Sequence, residues 1–277
     1  MTDTTTRRTG APVPADPART TAEPMIDVRG LDVAFGSTRV LHGVDLRLGR
    51  GRTVGVVGES GSGKSTLAKV LVGTVKPAAG SATVDGVDLA AADRSALRAY
   101  RRRIQMIPQD PYSSLSPRRT VAQTLAEAID PVRPRVAAHE ERIAGWLERV
   151  GLPADVMHRF PHEFSGGQRQ RIAIARGLVI DPHLVIADEI TSALDVSVQA
   201  QILDLLATIK ESLGLTMMFI SHNLAVVQRV SDEVVVLYQG EVVESGPVEQ
   251  IYADPQHWYT RRLLDADPAS ANFSLVG

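Results

Sequence analysis

The sequence predicts an α/β fold: a parallel sheet covered by helices, preceded by an antiparallel β portion and interrupted by a helical lobe. Three observations carry this reading. Strand-length apolar runs alternate with stretches of helical spacing; the run Val54 to Val57 passes through a glycine-rich turn into a helical pattern near Lys64; and Val121 to about Leu178 keeps helical spacing throughout.

Taken in order, Ile26 to Phe35, Leu41 to Leu48 and Thr53 to Val57 are short β-rich runs broken by glycine, an antiparallel edge followed by a buried strand. The last run ends at Gly58, and beyond Lys64 the residues Leu67, Val70 and Leu71 share a helix face. A β segment at Ala82 to Leu89 and a strand at Ile104 to Pro108 lead into the helical lobe. Strand-like runs return at Leu184 to Ala187, Met217 to Ile220 and Val234 to Tyr238. Between the first two lies a helix with Val198, Ile202, Leu205, Leu206 and Ile209 on one face, and such alternation implies parallel strands. No internal repeat is visible, so a single unit is expected. Residues 1–24, rich in Thr, Pro, Ala and Arg, lack the apolar stretch of a signal peptide and read as a disordered leader. The tail after Asp265 reads as weakly structured.

Composition narrows the function. With 277 residues and 44% hydrophobic content the chain can bury a core without staples. Absence of cysteine excludes disulfides, a thiolate nucleophile, zinc–thiolate sites and cysteine-ligated iron–sulfur clusters, and suits a reducing compartment. A net charge of -2 argues against a nucleic-acid-coating role. No run approaches the roughly 18 apolar residues that cross a bilayer, so any membrane role is peripheral. The basic stretch Arg98 to Arg103 reads as a solvated helix face, since Tyr100 alone makes no stacking platform for bases.

Gly58-Glu59-Ser60-Gly61-Ser62-Gly63-Lys64-Ser65 matches G-x-x-x-x-G-K-[ST] between a strand and a helix. Such a loop turns successive N–H groups toward phosphate oxygens, and the helix start adds favourable potential. Lys64 brings a charge to the β- and γ-phosphates, the Ser65 hydroxyl suits Mg²⁺, and Thr66 completes the nucleotide-contacting segment. The overlapping Gly58-Glu59-Ser60 fails as a hydrolase elbow because position 62 is Ser.

The second acidic motif, Leu184-Val185-Ile186-Ala187-Asp188-Glu189, ends a buried strand in two carboxylates. A carboxylate there is costly unless a cation or water meets it. Mg²⁺ beside a triphosphate supplies that cation: Asp188 would organise the metal shell and Glu189 would orient or deprotonate the attacking water.

Phe164-Ser165-Gly166-Gly167-Gln168 resembles the signature of ATP-binding cassettes. With Gln109, Ser192-Ala193-Leu194-Asp195 and His222 it extends the resemblance from Met25 to Leu264 in the order of that family. The resemblance implies a P-loop NTPase cassette at 25–265, with a mixed sheet core, an antiparallel β subdomain and an inserted α-helical subdomain at about 119–180. It further implies that two cassettes meet head to tail, with ATP between the phosphate loop of one and Ser165, Gly166, Gly167 and Gln168 of the other. Phe35 would stack on adenine, Gln109 would reach Mg²⁺ and water, and His222 would contact the γ-phosphate.

Gln109 to Arg118, Phe160-Pro161-His162-Glu163 and Pro255-Gln256-His257-Trp258-Tyr259-Thr260 resemble segments of the second ATPase subunit of dipeptide and oligopeptide importers. The implied partners are a second cassette, two transmembrane permeases docked near the Gln109 to Arg118 segment and, indirectly, an extracytoplasmic solute-binding protein, at the cytoplasmic face of the membrane. A related importer of nickel, glutathione or another small solute, or a non-transport nucleotide-regulated module, is the alternative. Ile190 and Phe164 depart from the usual Pro and Leu; Ile190 releases Glu189 from the pre-proline restriction, and Phe164 keeps an apolar anchor.

Overall fold

The computed structural model describes residues 23–266; the expected leader and tail fall almost wholly outside them. In chain order the elements are β1 (Ile26–Phe35), β2 (Thr38–Leu48), β3 (Thr53–Val57), α1 (Lys64–Leu71), β4 (Ala79–Val84), β5 (Val87–Asp88), α2 (Arg94–Arg103), β6 (Ile104–Ile107) and α3 (Pro111–Ser114). Next come α4 (Val121–Ile129), α5 (Glu140–Arg149), α6 (Gly166–Leu178), β7 (Leu184–Asp188), α7 (Val196–Leu213), β8 (Thr216–Ile220), α8 (Leu224–Val230), β9 (Glu233–Tyr238), β10 (Glu241–Pro247), α9 (Val248–Ala253) and α10 (Trp258–Asp265).

Two sheets organise the molecule. The first is antiparallel, ordered β2-β1-β4-β5; the second is six-stranded, ordered β10-β9-β3-β8-β7-β6. In the second, β9, β3, β8, β7 and β6 pair in parallel and β10 runs antiparallel along the edge. The parallel strands are apolar on both faces. Leu184, Ile186, Met218, Ile220, Val235 and Leu237 pack with α1 and the antiparallel sheet. Their alternates Val185, Ala187, Met217, Phe219, Val234 and Val236 pack with residues of α4 to α8. A period-two alternation between two buried faces is why these runs read as unbroken apolar stretches.

Four features differ from the sequence reading. β2 begins at Thr38, pairing through the turn at Gly36, rather than at Leu41. β10 adds an antiparallel edge that the alternating strand–helix pattern did not mark, because none of its residues is buried. On α7 the buried residues are Ile202, Leu203, Leu206 and Ile209, with Val198 and Leu205 half-buried beside them. Finally, Tyr100 of the basic helix α2 is fully buried, donating its hydroxyl to the Leu71 carbonyl, while the arginines around it face outward.

Candidate functional site

The glycine-rich loop leaves β3 at Gly58 and enters α1 at Lys64. At Gly58 a Cβ would stand 2.1 Å from the Leu237 carbonyl oxygen of β9, so only glycine lets the two backbones approach. The helix start is bare. Gly63 occupies the N-cap at φ 105° and supplies no side-chain bond, and the first turn holds no acid. In contrast Asp93, Thr120, Ser165, Asp195 and Asn223 cap α2, α4, α6, α7 and α8 with their own side chains. The first amides of α1 therefore face outward with favourable potential for an anion.

Lys64 is buried, and its Nζ donates to the carbonyls of Gly58 at 2.7 Å and Glu59 at 2.9 Å. Burial pushes its ammonium below the ordinary lysine range, while Glu189 and then Asp188 pull it back up. Ser60 and Gly61 are exposed, as are Glu59 and Ser65, and Thr66 is half-buried on α1. Ser62 is buried, and its hydroxyl has no hydrogen-bond partner.

Across from the loop, β7 delivers Asp188 beside Ile220 of β8. Burial pushes the Asp188 carboxyl up, a hydrogen bond from Ser65 opposes that rise, and the neighbouring Glu189 charge adds to it. Glu189 donates its N–H to the Ile220 carbonyl at 2.9 Å and turns into the left-handed region at φ 48°. A non-glycine residue there carries strain of about 1 to 3 kcal/mol. Ile190 anchors the turn in the core at 1% exposure, and the residue before it lacks the bias toward extended backbone that a proline would impose. The Glu189 Oε2 lies 3.4 Å from Nδ1 of His222, which follows β8 between buried Ser221 and the N-cap Asn223. Gln109 joins through a relay: its Nε2 donates to the Ser192 hydroxyl at 3.1 Å, which donates to the Glu189 carbonyl at 2.9 Å.

Lys64, Ser65, Asp188, Glu189 and His222 thus gather at the ends of β3, β7 and β8, with Gln109 attached through Ser192. Phe35 ends β1 and is 51% exposed, so it is a surface ring and not core. The Ser165 to Gln168 segment is built on α6. There the Ser165 hydroxyl accepts from the Gln168 N–H at 3.3 Å and the Gln168 side chain accepts from the Ser165 N–H at 3.0 Å. Ser165, Gly166 and Gln168 are exposed. Gly167 also has a packing reason to be glycine, because a Cβ would meet Val198 of α7 at 2.6 Å. Phe164 is buried at 4%, the apolar anchor expected of it.

The sequence reading missed the Ser192 relay and the contact of the loop with α10, where Tyr259 Oη accepts from the Glu59 N–H at 2.8 Å. The only signal for the latter was the Pro255 to Thr260 segment, taken solely as a mark of subfamily. His158 and His162, spaced like a helical metal pair, sit on separate 3₁₀ turns, Ala154–His158 and Pro161–Glu163.

Comparison with known proteins agrees with this geometry. The family described as ABC transporter matches residues 41–192. A peptide import ATP-binding protein of Brucella ovis is 46% identical over 254 residues, covering 90% of this chain and 80% of its own. The oligopeptide transport ATP-binding protein OppF of Escherichia coli is 47% identical, covering 83% of this chain and 70% of its own. Among solved structures, cbiO1 from Clostridium perfringens, described as part of the ABC transporter complex cbiONQ, superposes with a TM-score of 0.77 at 27% identity, covering 84% of this chain and 92% of its own. The ATP-binding cassette MJ0796, solved as a post-hydrolysis dimer with ADP and Pi, gives a TM-score of 0.71 at 28% identity, covering 81% and 99%. A bare-capped helix behind a buried lysine, two strand-end acids and this extent of identity lead to one conclusion: the chain belongs to the ABC transporter family and is one of its ATP-binding, ATP-hydrolysing cassettes.

Proposed function

We propose that this cassette drives an importer of peptides or similar small solutes, held peripherally at the cytoplasmic face of the membrane by two permeases. A second cassette faces it, and a solute-binding protein outside the membrane delivers the cargo indirectly. The observation that carries the catalytic part is the convergence of Lys64, Ser65, Asp188, Glu189 and His222 at the ends of three adjacent parallel strands. The names of the peptide-import and oligopeptide relatives support the cargo class. No helix among the described residues is long and apolar enough to cross a membrane, consistent with a peripheral place.

In this reading residues 25–265 are one nucleotide-binding domain, with its helical part at about 119–180. The loop Gly58 to Thr66 wraps the phosphates, Lys64 neutralises the β- and γ-oxygens, and Phe35 stacks on adenine. Glu189 orients and deprotonates the attacking water, His222 holds the γ-phosphate side, and Gln109 transmits closure through Ser192 to the Glu189 turn. The exposed Ser165 to Gln168 surface completes the partner's site, where the start of α6 faces the γ-phosphate. Mg²⁺ fits the donors present, since Asp188 is an oxygen ligand pushed toward protonation by burial and Ser65 supplies a hydroxyl beside it. When bound, the ion would neutralise charge building on the phosphate oxygens.

A groove of about 1040 Å³ between α2, the end of α4 and the end of α6 is lined by Arg94, Arg98, Arg101, Arg102 and Arg176 with Glu127 as its acid. It adjoins β6, which leads to Gln109. An acidic or carbonyl-presenting permease loop seated there would press on β6 at Gln105, four residues before Gln109, which broadens the expected docking place beyond Gln109 to Arg118.

The deciding experiment is ATP hydrolysis by the full chain alone and assembled with its partner cassette and permeases in vesicles, with and without peptide. Turnover that rises on assembly and is coupled to peptide uptake is expected. Turnover indifferent to the permeases would favour a nucleotide-regulated module, and uptake of nickel or glutathione instead of peptide would revise the cargo.

Asp188→Asn should separate stability from catalysis. With the folded-state pKa raised, Asp188 favours folding fully only while protonated, and that contribution is lost as pH rises through the raised value. At neutral pH, above the ordinary carboxylate range, that contribution is reduced and Asp188 weighs against the nucleotide-free fold. The variant should gain about 1 kcal/mol in thermal or urea unfolding without nucleotide, a gain typical of relaxing a functional site. It should lose magnesium-dependent hydrolysis.

A further inference from the structure

The C-terminal helix touches the phosphate loop directly. Tyr259 of α10 is fully buried, yet its hydroxyl reaches across 200 positions to accept the Glu59 N–H at 2.8 Å. The same peptide group, Gly58–Glu59, is used at its other end, for the Gly58 carbonyl accepts from Lys64 Nζ at 2.7 Å. The next carbonyl, that of Glu59, accepts from Lys64 Nζ at 2.9 Å and from the Ser62 N–H at 3.2 Å. Tyr259 is itself clamped by an aromatic cluster, with Tyr238 of β9 at 4.3 Å and Trp258 at 5.8 Å between ring centroids. β9 and its turn reach the loop as well: Leu237 closes over Gly58, and the Gly240 N–H donates to the Ser62 carbonyl at 3.1 Å.

We propose that Tyr259 is a positioning residue for nucleotide binding, holding the Gly58–Glu59 peptide in the orientation that aims Lys64 and the loop amides at the phosphates. The proposal rests on the reading of Gly58 to Thr66 as the phosphate site. Tyr259 touches no reacting atom; it acts through one peptide plane. The phosphate loop is consequently braced from α10 as well as from its flanking strand and helix, and the Pro255 to Thr260 segment has a physical task at the nucleotide site.

The test titrates the full-length chain with magnesium and the non-hydrolysable analogue AMP-PNP by calorimetry, alongside thermal unfolding. Tyr259→Phe keeps the ring and removes only the acceptor. One neutral hydrogen bond corresponds to about a five-fold weaker affinity, expected in the dissociation constant and in KM for ATP, with kcat changed by less than about two-fold. Tyr238→Phe is the control, since that hydroxyl accepts from Gln239 Nε2 at 3.2 Å and does not bond the loop. A Tyr259→Phe chain that folds and binds like wild type would overturn the proposal while leaving the phosphate-site reading intact; failure of wild type to bind nucleotide would overturn the reading itself. Hydrogen exchange in the wild type needs no variant. The Glu59 amide should exchange at least about ten-fold more slowly than that of exposed Gly61, and equal rates would refute the brace.

Discussion

Glu189→Gln is expected to lower ATP turnover by about 10² to 10⁴-fold, the range that a positioned general base contributes, while ATP binding is retained. The substitution is nearly isosteric, so the backbone bond from Glu189 to Ile220 and the left-handed turn at φ 48° remain. What disappears is a carboxylate 3.4 Å from His222 and adjacent to Asp188. His222 is 60% exposed at its side chain, so the lost contact is worth little in stability. Loss of rate therefore reports chemistry and not unfolding. ATP moves the equilibrium between open and closed cassettes only through its higher affinity for the closed pair. With hydrolysis blocked that pair should accumulate, and size-exclusion chromatography with ATP should show it beside a phosphate-release assay. An unchanged rate would remove Glu189 from the chemistry.

Why these residues could be found in advance is a matter of range. Gly58 to Ser65, Asp188-Glu189 and Ser165 to Gln168 are contiguous strings whose chemistry sits on neighbouring residues, and the strands that lead into the first two are apolar on both faces. Such strands leave a mark in a single chain because β7, β8 and β9 need an unbroken apolar run. β10 leaves none, being an edge with a mixed surface. Pairings between distant residues are silent in the same way. The Gln109–Ser192–Glu189 relay spans 83 positions and the Tyr259–Glu59 bond spans 200, and neither end alone distinguishes itself from an ordinary polar residue. Tyr100 shows a subtler loss: within a helix of arginines one aromatic residue read as exposed, whereas its ring fills the space beneath α1 and its hydroxyl completes the Leu71 carbonyl. Burial of a lone apolar residue on a charged helix depends on what covers it.

Lys64→Met should cut affinity for ATP by about ten-fold or more, since a hydrogen-bonded charge is worth about 1.5 to 3 kcal/mol, and should leave hydrolysis below detection. The fold should tolerate it. Burial holds the Lys64 ammonium below its ordinary range, so in the nucleotide-free chain the protonated form is disfavoured on folding. By linkage its contribution to stability is least where lysine is charged in both states, and improves as pH climbs through the lowered folded value toward the unfolded one. Methionine keeps the apolar stem and removes that penalty, and against it stands the loss of two bonds to the Gly58 and Glu59 carbonyls. The two effects offset, so the midpoint of thermal unfolding without nucleotide should move by no more than a few degrees. Nucleotide should then raise the midpoint of wild type and of Glu189→Gln but not of Lys64→Met, because a ligand stabilises only the state that binds it. That contrast separates the two residues by role: one lost with the ground-state complex, the other only when water must attack. A Lys64→Met chain stabilised by ATP as strongly as wild type would deny the lysine its place at the phosphates.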